Sequence, residues 1–83
     1  MTSPSDTYYA RVADMLSRME DGDTFSIREK VREENRERFI ECFKWFAGVH
    51  SGGPYWWDWD DESLLITKHA KLWYKEMKRK GEA

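Results

Sequence analysis

The sequence predicts a small α+β domain of 83 residues, with three helices, a β-hairpin and a C-terminal helix. Three observations carry that prediction. Apolar residues recur at three- and four-residue spacing near the start and again in the middle of the chain, as one face of a helix requires. Two runs rich in aromatic and β-branched residues, Tyr55-Trp56-Trp57-Asp58-Trp59 and Leu64-Leu65-Ile66-Thr67, have the composition of strands. The polar run Asp60-Asp61-Glu62-Ser63 between them suits a hairpin turn.

Taken in order, the first helix opens with Ser3 as N-cap, Pro4 at the first helical position and Asp6 completing a Ser-x-x-Asp capping box. Tyr8, Val12, Met15, Leu16 and Met19 form its apolar stripe, and Gly22 can adopt the left-handed conformation that closes a helix. Thr24-Phe25-Ser26 reads as a short strand. Ser26-Ile27-Arg28-Glu29 repeats the capping-box pattern and starts a helix containing Ile27 and Val31. No apolar residue falls between Arg32 and Arg38, so a turn is expected near Glu33–Asn35, with one continuous helix from Ile27 to Ala47 as the alternative. Phe39, Phe43 and Phe46 then mark a third helix, ended by Gly48 and His50-Ser51-Gly52-Gly53-Pro54. After the hairpin a last helix is expected from about His69. The competing reading is all-α, with one helix over residues 60–80: Asp60 is a good N-cap, and Ile66, Ala70, Trp73 and Met77 would make its stripe.

Eighty-three residues make one domain, because a second would be too small to bury a core. Aromatics are 16% of the chain, which is why the 36% charged content reads as the surface of a folded unit and not as a disordered tail. The single cysteine, Cys42, forms no internal disulfide and has no partner for a metal cluster. The polar start, Met1-Thr2-Ser3-Pro4, and the lack of a long apolar run argue against a signal peptide and a membrane span. A cytoplasmic location is the expectation. Charge is uneven. Six bases (Lys68, Lys71, Lys75, Lys78, Arg79, Lys80) face only Glu76 and Glu82 from Thr67 onward, although the whole chain carries −2.

Helix, short strand, short helix, turn, longer helix and hairpin is the element order of the winged helix-turn-helix. The stretch Gly22–Lys68 resembles that family, with Phe39–Ala47 in the place of the third helix and Tyr55–Lys68 as the wing. Many small regulators of bacteria, phages and mobile elements have this layout. The resemblance implies a third helix lying in the DNA major groove with its solvent face reading base edges. With the phenylalanines inward, that face carries Glu34, Glu37, Glu41, Lys44 and Gly48. Carboxylates are repelled by phosphates, and each phosphate contact needs Lys or Arg. A basic surface would have to come from Arg28, Arg32 and Arg36 together with the ridge Lys68, Lys71, Lys75 and Lys78.

Catalysis is not expected. Asp58, Asp60, Asp61 and Glu62 lack calcium-loop spacing, and His50 and His69 have no zinc pairing. Cys42 falls on the inward side of its helix, where burial makes a thiol inert. No cofactor, metal or small-molecule substrate is implied. The candidate protein-contact residues are Tyr55, Trp56, Trp57, Trp59 and Trp45, because Trp and Tyr are enriched at binding hot spots, together with the acidic face Glu34, Glu37 and Glu41. The favoured reading is a non-catalytic binding or regulatory protein acting on another protein, as a monomer or homodimer. It resembles in composition the small acidic phage proteins that disable host defences. A DNA-binding regulator is the alternative.

Overall fold

The computed structural model describes residues 6–81, and the Ser3–Pro4 cap lies outside them. Helix α1 runs Asp6–Arg18, strand β1 Thr24–Ser26, helix α2 Ile27–Lys30 and helix α3 Glu33–Val49. Strands β2 (Tyr55–Asp60) and β3 (Leu65–Ala70) form the hairpin, and helix α4 covers Leu72–Gly81. The architecture is α+β and winged-helix-like: one antiparallel sheet in the order β1-β3-β2, with α1 to α3 packed on one face.

The first two helices end at specific contacts. The stripe of α1 buries Val12 and Leu16, and the chain then turns at Gly22, whose φ of +92° a side chain would strain. That turn is bonded to the middle of β3, with Gly22 N–H donating to the Lys68 carbonyl at 2.8 Å and Lys68 N–H to the Asp23 carbonyl at 2.9 Å. Ser26 caps α2 as expected, its hydroxyl accepting from the Glu29 N–H at 3.3 Å. The break between α2 and α3 falls at Val31–Arg32, both extended, two residues earlier than the sequence predicts. Arg36 explains the shift. Its guanidinium reaches back to the carbonyls of Val31 (3.3 Å) and Arg28 (2.9 Å), taking up acceptors that the end of α2 leaves open.

The hairpin is longer than expected. Strand β3 continues through His69 and Ala70, α4 starts only at Leu72, and the turn occupies Asp61–Leu64, with Leu64 at φ +54°. The all-α alternative is therefore overturned. Central position is the physical reason, since β3 pairs with β1 on one side and β2 on the other, so backbone groups directed to either side find partners. The helical spacing of Ile66 and Ala70 with Trp73 is incidental.

The core is Val12, Leu16, Ile27, Phe39, Cys42, Phe43, Phe46 and Ile66. Aromatic pairs tie the layers together: Phe25 stacks on Phe39 with centroids 5.4 Å apart, Trp59 lies 5.5 Å from Phe43, and Trp57 meets Phe46 edge-on at 5.1 Å.

Candidate protein-contact surface

Because Phe39, Phe43 and Phe46 are buried, the helical period turns the opposite side of α3 to solvent. Glu34, Glu37, Glu41, Lys44 and Gly48 are all exposed there, as the sequence predicts. Toward the C-terminal end the face becomes apolar. Glu41, Lys44, Trp45, Gly48 and Val49 line an open groove of about 490 Å³, in which Trp45 is half-buried and Val49 is 64% exposed. Gly48 keeps its floor low, since a Cβ there would meet nothing within 4 Å. Arg38, at the edge of the face, is drawn away to stand 4.3 Å over the Tyr8 ring. The result is a carboxylate row leading into an apolar notch.

The Trp-rich strand divides by pleat. Tyr55, Trp57 and Trp59 share one face of β2 and point at the helices, whereas Trp56, Asp58 and Asp60 point outward. Among Trp56, Trp57 and Trp59, only Trp56 offers a largely accessible ring, 45% exposed and stacked on His69 at 4.5 Å. It lies on the outer face of the sheet, opposite the helices. The carboxylates at the hairpin end serve the turn: Asp60 accepts from the Glu62 N–H at 3.0 Å, and that bond holds its carboxyl below the usual carboxylate range. Among the described residues, no group of three or more His, Cys, Asp or Glu gathers as metal ligands. Burial, with Glu41 nearby, pushes the Cys42 thiol up, which leaves it a poor nucleophile.

The basic residues do not form one surface. Lys68, expected on an exposed ridge, is 4% exposed and points into the fold. Its ammonium donates to the carbonyls of Met19 (2.6 Å), Ser17 (3.2 Å) and Leu16 (3.5 Å) at the end of α1, and stands 4.3 Å from the Tyr55 ring. Burial pushes its pKa below the ordinary lysine value, against the pull of Asp23. Lys71 donates to the Ser51 carbonyl at 2.6 Å, Lys75 pairs with Asp21 at 3.5 Å, and Lys78 lies over Tyr74. Arg28 bonds the Glu62 carbonyl at 2.7 Å and Arg36 is held by the end of α2, while Arg32 remains exposed. The inward turn of Lys68 was legible in the alternation of β3, since it sits two residues after buried Ile66. The sequence reading missed Val49 and the solvent-facing Leu72, Trp73 and Met77.

Comparison with protein-family models, curated proteins and solved structures finds no match. No helix among the described residues is long and apolar enough to cross a membrane.

Proposed function

We propose that this chain is a non-catalytic accessory or regulatory protein that works by engaging another protein through the outer face of α3. One observation carries the reading: the helix that a winged-helix DNA reader turns to the groove here bears Glu34, Glu37 and Glu41 followed by the Trp45–Gly48–Val49 notch. Carboxylates oppose phosphate, whereas an acidic row beside an apolar anchor point matches a basic, amphipathic protein surface. A factor of phage or mobile-element type is the setting that the element order suggests.

DNA binding remains the second reading because of one groove. Arg11, Lys30 and Arg32 line a 310 Å³ cleft with Tyr8, Phe25 and Phe39, no carboxylate shares it, and these three bases form no ion pair among the described residues. Fluorescence anisotropy with a labelled random duplex, at low and physiological salt, separates the two. The protein reading expects no binding at either salt, and a photo-cross-linker at position 49 that captures a protein unless Glu37→Lys and Glu41→Lys are also present. Tight DNA binding that falls steeply with salt, lost on Arg32→Glu, would sink it.

A further inference from the structure

We infer that the partner of the α3 groove is a second copy of this chain: in a two-fold dimer, helix α4 of each copy lies along the acidic α3 face and in the groove of the other. The inference rests on the reading of the α3 face as a protein-contact surface and names its occupant.

Helix α4 is the least anchored element. It buries none of its residues, and it touches the rest of the fold through Tyr74, 5.4 Å from the Tyr55 ring, and the Lys75–Asp21 pair. These two fix which side faces inward. At 100° per residue the opposite side carries Leu72, Trp73, Glu76, Met77 and Lys80, with Arg79 at the margin. Leu72 is 71%, Trp73 51% and Met77 55% exposed. A large aromatic and two aliphatic anchors on one stripe are the pattern by which an amphipathic helix enters a groove.

Charge selects the groove. Helix α4 carries Lys75, Lys78, Arg79 and Lys80 against Glu76, and of these Glu76, Lys80 and the marginal Arg79 belong to the outward side, so a second α4 would meet it with net like charge. The α3 face supplies the complement, with Glu34, Glu37 and Glu41 outnumbering Lys44 beside Trp45, Gly48 and Val49. The two surfaces also adjoin. Lys71, the residue before α4, has its N–H on the Pro54 carbonyl (2.8 Å) and its ammonium on the Ser51 carbonyl (2.6 Å), two residues beyond Val49. A two-fold axis beside the 50–54 loop would set the start of each α4 next to the groove of the other copy. Reciprocity matters, because a single helix-in-groove contact of this kind is heterologous and would propagate, whereas the exchanged pair closes.

The test is sedimentation velocity on the purified full chain at about 100 μM, a concentration at which a micromolar dimer is populated. The parent is expected at twice the monomer mass. Glu37→Lys with Glu41→Lys makes one variant, and Arg79→Glu with Lys80→Glu makes the other. Each alone places like charges at both contacts, and its dimerisation should weaken by at least about tenfold. Mixed one to one, the two variants restore opposite charge at both contacts and should form a heterodimer. All four positions are exposed, and circular dichroism confirms that the variants fold. Trp73→Ala with Met77→Glu should give a monomer unaffected by mixing. A parent that stays monomeric, or variants that fail to associate when mixed although the parent dimerises, overturns the inference. Capture of a different protein from position 49 by a monomeric parent would leave the protein-contact reading standing. A dimer with no cross-linked contact at position 49 would defeat both.

Discussion

Lys68→Met tests what holds the sheet against α1. Methionine keeps an unbranched apolar stem beside Tyr55 and Trp57 but removes the ammonium. The carbonyls of Met19 and Ser17 then lose donors at 2.6 and 3.2 Å, while the 3.5 Å approach to Leu16 adds little. Each amine–carbonyl bond contributes about 0.5–1.5 kcal/mol net. Burial of the ammonium works in the opposite direction, as the lowered pKa of Lys68 records. Leaving both carbonyls without a donor should cost about 1–2 kcal/mol, which with a urea m-value of roughly 1 kcal/mol/M moves the midpoint by about 1–2 M. A pH series adds a second check. The folded pKa lies below the unfolded 10.5, so between the two values the unfolded chain holds the proton more tightly and stability rises with pH. The penalty on the charged form is complete below the folded pKa and vanishes above 10.5, so the parent should gain on the Met variant as pH rises through that window. A Met variant as stable as the parent at neutral pH would refute the reasoning, because desolvation would then outweigh the carbonyl bonds.

Three further outcomes follow from the packing. Trp57→Ala should cost about 3 kcal/mol or more in urea unfolding, because its ring meets Phe46, while Trp56→Ala should cost under about 1 kcal/mol. Equal losses would mean that the pleat of β2 is assigned to the wrong face. Ser26→Ala should lose about 1 kcal/mol with the cap on the Glu29 N–H, and Ser26→Asp should retain most of it in the same assay. Cys42 should react with a thiol reagent only as fast as the domain opens. Denaturant should accelerate the reaction.

Spacing in the chain determines more of this protein than its size suggests. The three- and four-residue recurrence of Val12 and Leu16, and of Phe39, Phe43 and Phe46, placed two helices and their buried faces, since helical period is a property of the backbone alone. Ser26 marked the start of α2 for an equally local reason, a hydroxyl within reach of the Glu29 N–H. The acidic outer face of α3 followed directly from the same period. Tertiary structure decided the rest. Ile66–Ala70 has competing local signals, and only pairing with β1 and β2 together selects the strand. The break at Val31–Arg32 depends on Arg36 reaching the carbonyls of α2, a contact between elements that no local pattern contains. Which face of the pleat is covered, and so which Trp meets solvent, is set by the helices packed on the sheet, and Lys68 becomes an anchor because the Gly22–Asp23 turn brings the open carbonyls of α1 to β3. Period and capping act over three or four residues and can be read from the chain, whereas strand pairing and carbonyl capture join residues of different elements and exist only once those elements have met.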